Sequence, residues 1–279
     1  MTVPTIALNN GVQIPQLGFG VFQIKPEDTA QAVTAALDAG YRHIDTAEMY
    51  GNEKQVGDAN KAYDIDPADV FVTSKLNNGF HAYDDALRAI DASLADLQRE
   101  QIDLFLIHWP LPAIGFDDAW RALEKGYADG KLRAIGVSNF QPHHLRRLHE
   151  EFTLRPAANQ IEVHPYLTQT DLLAFDAEHE IATEAWSPIA QGLVLDDPVI
   201  TDIAGRIGRT AAQVVLRWHI QLGNIVFPKS LKPARMVENF DIFGFELADD
   251  DMALISALNR DERTGPNPDE FNWIPGTPR

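Results

Sequence analysis

The feature that most constrains this chain is an alternation. Short apolar runs recur at 17–21, 42–46, 70–75, 102–109, 134–139, 158–163, 181–186 and 224–229. Between them lie segments with helical spacing. The clearest is 84–97, where Leu87, Ile90, Leu94 and Leu97 share one face. Further helices are expected at 27–39, 117–129, 142–151 and 211–222, several starting after Pro or Asp and ending near glycine, as at Ala39-Gly40 and Asp129-Gly130. Eight strand candidates alternating with helices, and no interdomain linker, predict an α/β fold: a (β/α)8 TIM barrel formed as one domain over residues 1–279. Ahead of the repeat, Thr5 to Leu8, then Asn9-Asn10-Gly11, then Val12 to Ile14 read as a β-hairpin that plugs the barrel. A doubly wound sheet would require a glycine-rich fingerprint after its first strand; Gly18-Phe19-Gly20 begins one, but Gln23 stands where the third glycine belongs.

Charge and composition narrow the partners. With 41 acidic and 23 basic side chains the net charge is -18, which repels nucleic acid and anionic lipid, so neither is an expected partner. The absence of cysteine removes disulfides, thiolate metal sites and cysteine nucleophiles; no metal is expected. The first residues lack the basic and apolar regions of a secretory signal, and no apolar run is long enough to span a bilayer, so the cytoplasm is the expected location. No heptad pattern points to a coiled-coil partner.

In a barrel of this kind chemistry gathers where strands end and loops begin. Asp45, Lys75 and His108 close successive strand candidates, Tyr50 lies in the loop after the first of these, and Lys229 closes the last. Taken singly, each has an ordinary structural explanation as a cap, a packing ring or a solvated charge. Together they form a coherent set. Tyrosine is a weak acid, with an ordinary pKa of about 10. A lysine beside it is expected to lower that value, an aspartate to hold the lysine charged, and a histidine to orient a carbonyl. The set lacks a nucleophile, so the attacking group, hydride, would come from a cofactor. Ser138 lacks the second glycine of a nucleophile elbow, the histidine pairs lack zinc-protease spacing, and there is no P-loop. Lys229, Ser230, Lys232 and Arg235 concentrate positive charge ahead of and into a helix expected at 233–239, which suits a phosphate. The tail, 261–279, either frays or folds over a site.

These residues resemble the aldo-keto reductases, and among them the bacterial branch that includes 2,5-diketo-D-gluconate reductases. The likeness is carried by Gly40-Tyr-Arg-His-Ile-Asp-Thr-Ala47, Tyr50-Gly-Asn-Glu53, Ser74-Lys-Leu76, His108-Trp-Pro110, Ile135-Gly-Val-Ser-Asn139, Asn159-Gln-Ile-Glu162 and Pro228-Lys-Ser230. The resemblance implies a monomer that carries out carbonyl reduction with NADPH by a catalytic tetrad of Asp45, Tyr50, Lys75 and His108. It implies that Ser138, Asn139 and Gln160 bind the nicotinamide carboxamide and that Trp186 stacks on its ring. Ser187, Pro188 and Gln191 would touch the pyrophosphate. Lys229, Ser230, Lys232 and Arg235 would hold the 2′-phosphate, and Glu238 and Asn239 would face the adenine. Asn77 stands where many relatives carry a tryptophan that walls the substrate pocket. With Phe22, Met49, Trp109 and Trp273 it makes up the candidate substrate wall, and dicarbonyls and keto-sugars are the expected substrates. An aldolase using a Schiff-base lysine is the rival enzyme class, disfavoured because Asp45 would keep Lys75 protonated. A cofactor-binding sensor without turnover is the non-enzymatic rival.

Overall fold

The computed structural model describes residues 3–276. Eight parallel strands form one sheet: β3 (Phe19–Gly20), β4 (His43–Asp45), β5 (Phe71–Leu76), β6 (Leu104–Ile107), β7 (Ile135–Ser138), β8 (Ala158–Glu162), β9 (Ala182–Trp186) and β10 (Ile225–Val226). They neighbour one another in chain order. The seam closes through a parallel bridge between Leu17 and Val226, in which Gly18 N–H donates to Val226 O at 2.9 Å and Val226 N–H to Gln16 O at 3.1 Å. The expected barrel and its eight strand positions are therefore found, with the strands shorter than the apolar runs that announced them.

Gly18 serves this seam rather than a dinucleotide. A Cβ there would meet the Phe227 ring at 2.7 Å and the His43 ring at 3.0 Å. Only a residue without a side chain lets that ring lie against the first strand.

Helices surround the sheet: α1 (Pro26–Asp38), α2 (Glu53–Ala62), α3 (Tyr83–Asp96), α4 (Asp117–Ala128), α5 (Pro142–Glu151), α6 (Thr170–Glu178), α7 (Pro198–Ile207), α8 (Ala211–Gln221), α9 (Pro233–Phe240) and α10 (Asp249–Ser256). Proline at a first helical position starts α1, α5, α7 and α9, where its missing N–H removes no helical bond. The capping box of Thr210 with Gln213 starts α8. The sequence reading did not single out α2, α6, α7 or α10. α6 buries Leu172, Phe175 and Asp176 on a face that is only partly apolar, which blurs its helical period.

The period of two along each strand sorts the side chains. Ile44, Val72, Phe105, Ile107, Ile135, Val137, Ile161 and Ala185 point outward into the helix layer and belong to the larger core. The alternate positions point inward. At the lower end of the barrel these are Phe71, Leu104, Leu106, Ala134, Ala158 and Ile225, packed with Ile14 and Leu8 of the hairpin region. The hairpin pairs β1 (Thr5–Ala7) with β2 (Gln13–Pro15). Asn9 and Asn10 tie its turn to the backbone carbonyls of Pro156 and Arg133 at 2.9 Å each. It thus plugs the lower end, as the sequence implied. Buried His43 closes this layer: it donates from Nδ1 to Pro15 O at 3.0 Å and accepts from Thr73 Oγ1 at 2.9 Å, and burial pulls its pKa down to about 3. At the upper end the inward positions become polar: Asp45, Lys75, His108, Ser138, Gln160 and Glu184. No helix among the described residues is long and apolar enough to cross a membrane.

The close approach at the seam is testable. Gly18→Ala is expected to destabilise the protein by about 1–3 kcal/mol, because a buried ring must be displaced. Thermal unfolding would register this as a melting point several degrees lower, and an unchanged melting point would show that Phe227 moves without strain.

Candidate active site

The upper rungs of the barrel bring the sequence-selected tetrad together. Lys75 has no exposed surface, and its Nζ donates at 2.7 Å both to Asp45 Oδ1 and to the Thr46 carbonyl. The Lys75 ammonium lies 5.1 Å from the centre of the Tyr50 ring, whose centroid is 5.7 Å from that of His108. Tyr50 ends a short 3-10 turn, Glu48–Tyr50, so its ring is part-exposed while its hydroxyl sits deep beside Lys75.

The electrostatics differ in one respect from the sequence expectation. Burial pulls the Lys75 ammonium down, but the charge of Asp45 and the hydrogen bond to it lead the interactions that outweigh burial and hold the group above the ordinary lysine value. Asp45 therefore keeps Lys75 charged, as expected. Tyr50, however, is not lowered. Lys75 acts in that direction, but burial acts against it more strongly, and the phenol is pushed up to about 12. The desolvation of a would-be phenolate exceeds the attraction of a cation already neutralised by Asp45. Tyr50 thus holds its proton throughout the neutral range. His108 is pulled well below the ordinary imidazole value, by burial first and then by the Lys75 and His81 charges. It is a neutral ring, and its Nδ1 meets no partner among the described residues.

The carboxamide candidates line the next rungs. Ser138 Oγ donates to Gln160 O at 2.8 Å, and Asn139 Nδ2 donates to His108 O at 3.0 Å. Asn139 adopts a left-handed backbone, φ 65°, that turns its side chain inward, and its Oδ1 accepts from Trp186 Nε1 at 2.9 Å. Gln160 donates to Asp45 Oδ1 at 2.8 Å, joining this wall to the tetrad. The loop after β9 is strained. Ser187, Ala190 and Gln191 all have positive φ, a conformation that costs about 1–2 kcal/mol for each residue with a side chain. Buried His219 holds this loop from behind, with Nε2 donating to Pro188 O at 3.0 Å. Such strain clusters where backbone geometry serves a ligand.

Lys229, Lys232 and Arg235 are exposed, Ser230 is half-buried, and Ser230 Oγ accepts from Lys232 N–H at 3.1 Å. Among the described residues no carboxylate lies within ion-pair reach of these three cations, in a protein where Lys54, Arg88, Lys125, Arg206 and Arg209 are all paired. Asn239 is buried nearby. Glu238 is already engaged, accepting from Thr210 Oγ1 at 2.9 Å.

The tail folds over the mouth. Phe271 packs on Trp109 with ring centres 4.3 Å apart, Asn78 Nδ2 donates to Trp273 O at 2.9 Å, and Ala113 N–H donates to Asn272 Oδ1 at 2.7 Å. Phe22 is exposed beside Tyr50, at 4.9 Å between ring centres, and Met49 is half-buried. Asn77 is buried, and its Oδ1 caps the following turn by accepting from Gly79 N–H at 3.1 Å. The anchor of the tail is Glu162, at the end of β8. Its buried carboxylate accepts from Thr264 N–H at 2.6 Å, Thr264 Oγ1 at 2.5 Å and Gly265 N–H at 3.2 Å, and His164 Nε2 lies 3.1 Å away. That anchor sets Gly265 against Trp186, where a Cβ would lie 2.4 Å from the indole. Sequence reasoning placed Glu162 in a motif without a role and did not select Gly265 or Phe271. The only available signal was a glutamate at an inward strand position.

The model of the Aldo/keto reductase family matches residues 16–260. The chain belongs to this family. An aldo-keto reductase of Mycobacterium sp. (strain JLS) is 51% identical over 274 residues, covering 98% of this chain and 99% of the relative. A glyoxal reductase of Bacillus subtilis (strain 168) is 49% identical over 268 residues, covering 96% and 97%. A crystal structure of a Gox0644 variant in complex with NADPH superposes with a TM-score of 0.94 at 42% identity, covering 98% of this chain and all of that one. The protein is an NADP-dependent oxidoreductase acting on small carbonyl compounds.

The Glu162 anchor makes a directional prediction. Burial raises this carboxyl, but its donors outweigh burial and hold it below the ordinary glutamate value. A depressed folded pKa contributes stability that is present above the unfolded pKa and is lost as pH falls through the folded one. Acidification below the ordinary glutamate range, or Glu162→Gln at neutral pH, is expected to release the tail. Hydrogen exchange at Thr264 and Gly265 should then quicken at least ten-fold while the barrel strands stay protected; equal protection in the variant would show that the tail is held elsewhere.

Proposed function

We propose that the protein reduces small dicarbonyls and keto-sugars with NADPH, and that Tyr50 donates the proton that the carbonyl oxygen takes up. The observation that carries this reading is the fully buried Lys75, fixed by Asp45 and set beside the Tyr50 hydroxyl. A phenol held protonated, next to a fixed ammonium in a dry site, is a general acid whose charge partner is already in place. His108, a neutral ring, offers one N–H to the carbonyl oxygen and so orients it toward Tyr50.

The wall fits a nicotinamide dinucleotide phosphate. Ser138, Asn139 and Gln160 would take the carboxamide, and Trp186 would lie along the ring, steadied by Asn139 on one edge and Gly265 on another. Ser187, Pro188 and Gln191, in the loop strained at Ser187, Ala190 and Gln191, would meet the pyrophosphate. Lys229, Ser230, Lys232 and Arg235 would hold the 2′-phosphate, which explains cations that meet no carboxylate among the described residues of so acidic a protein. Asn239 and the backbone around Glu238 would border the adenine. When bound, the cofactor supplies hydride.

Phe22, Met49, Asn77, Trp109 and Trp273 would wall the substrate, with Phe271 as the ring that covers Trp109. Asn77 brings a smaller polar side chain to that wall than tryptophan would, which favours oxygen-rich dicarbonyls and sugars. The likeness to a glyoxal reductase supports the same class. We read the chain as one catalytic domain over 1–279, monomeric and cytoplasmic; Met1, Thr2 and the residues after Gly276 lie outside the described structure.

Tyr50→Phe is expected to lose about 10²–10⁴-fold in turnover on methylglyoxal while binding NADPH as before. Reduction at the wild-type rate would remove Tyr50 from the proton-donor role. NADPH bound tightly by the wild type, without turnover on dicarbonyls, keto-sugars or aromatic aldehydes, would favour the sensor reading. Arg235→Ala should weaken NADPH binding about ten-fold and leave NADH binding unchanged; equal losses for both would place the 2′-phosphate elsewhere. Because His108 lies far below the ordinary imidazole range, kcat/KM for reduction should show no acid limb near pH 6.5. A limb at that pH that disappears in His108→Gln would show the ring to be charged in the working enzyme.

A further inference from the structure

The barrel holds a second carboxyl close to the tetrad. On β8 and β9, Gln160 pairs in register with Glu184, and both side chains point inward. Glu184 is 0% exposed and Gln160 2% exposed. The Gln160 amide nitrogen stands 2.8 Å from Asp45 Oδ1 and 2.9 Å from Glu184 Oε2.

An amide nitrogen carries two hydrogens, and here each has an acceptor. The opposite amide orientation would turn the oxygen toward the Asp45 carboxylate, lone pair against lone pair. Asp45 alone would fix one N–H and leave the amide plane free to swing about that bond. Glu184 supplies the second point and fixes the plane. Gln160 Oε1 then faces away from both carboxyls, and it accepts no hydrogen bond from any described residue.

Packing alone does not explain a glutamate at this position. Its other oxygen, Oε1, is buried without a partner, a penalty that an apolar side chain at position 184 would avoid. The carboxyl is also suited to sit beside Asp45. Burial and then the Asp45 charge push it up to about 8, against the Gln160 bond and the Lys75 charge, so at neutral pH it accepts as an uncharged acid.

We propose that Glu184 is a positioning residue which, with Asp45, locks the Gln160 amide so that its oxygen receives the N–H of the nicotinamide carboxamide. This rests on the reading that Gln160 meets that carboxamide.

The test compares binding of NADPH with binding of its reduced 3-acetylpyridine analogue, in which a methyl group replaces the carboxamide NH2. Isothermal titration reads affinity without turnover. The wild type should bind NADPH about ten-fold more tightly than the analogue, the worth of one well-placed hydrogen bond. In Glu184→Met that preference should shrink to about two-fold, and Glu184→Gln, which retains an acceptor for Gln160, should restore most of it. Affinity for 2′-AMP, which occupies only the far end, should not change in any variant. If the wild type discriminates and Glu184→Met discriminates equally, Glu184 is structural and the proposal falls. A wild type that binds both cofactors equally would instead overturn the carboxamide reading of Gln160, and the proposal with it. Should Glu184→Met not fold, Glu184→Ala is read in its place by the same criterion.

Discussion

The ion pair of Lys75 with Asp45 is the interaction on which the upper half of this barrel depends. A lysine with no exposed surface is tolerable only if its charge is met, and Asp45 and the Thr46 carbonyl meet it at 2.7 Å. Removing either partner of such a pair costs about 3–5 kcal/mol, because the other is left charged and dry. The pair in turn fixes its neighbours. Tyr50 lies along the ammonium, Gln160 donates to the same Asp45 oxygen, and Glu184 is kept neutral by burial first and then by the Asp45 charge beside it.

This arrangement separates two tasks that the sequence had suggested were one. The expected purpose of Lys75 was to acidify Tyr50. In the fold the phenol is harder to ionise than free tyrosine, because burial outweighs a cation that Asp45 has largely neutralised. In the proposed reading, Tyr50 would be a polarised donor whose proton leaves only when negative charge develops on a substrate oxygen beside it. Such a donor is matched to a developing alkoxide rather than to bulk solvent.

The barrel is graded from end to end. Its lower interior is filled with Phe71, Leu104, Leu106 and Ile225 and stoppered by the hairpin, so water cannot reach the ion pair from below. The upper interior is polar and is covered by the tail, pinned at Glu162 and lying on Trp109 and Trp186. The stopper and the cover come from opposite ends of the chain and act on the same polar layer.

Much of this was legible in the residues. The alternation of apolar runs and helical segments specified the barrel, because a parallel strand must be followed by a crossover and several crossovers here, such as α3 and α8, show clear helical spacing, although those at α2 and α6 do not. The places where strands end identified Asp45, Lys75 and His108, and a concentration of cations running into a helix start, in an acidic chain, pointed to the proposed phosphate end. Sequence could not supply the balance of burial against charge at Tyr50, since desolvation depends on how many atoms from distant segments surround one hydroxyl. Nor could it select Glu184, one of two polar residues, with Thr183, in a short apolar run, until the period of two and the register with β8 turned it toward Gln160. The tail was the most open question, fraying or folding over. Only tertiary structure decided it, because its anchor is a carboxylate a hundred residues earlier in the chain, at the end of β8. Local pattern fixes which elements form and which way their side chains alternate; contacts between residues far apart in sequence fix protonation, orientation and closure.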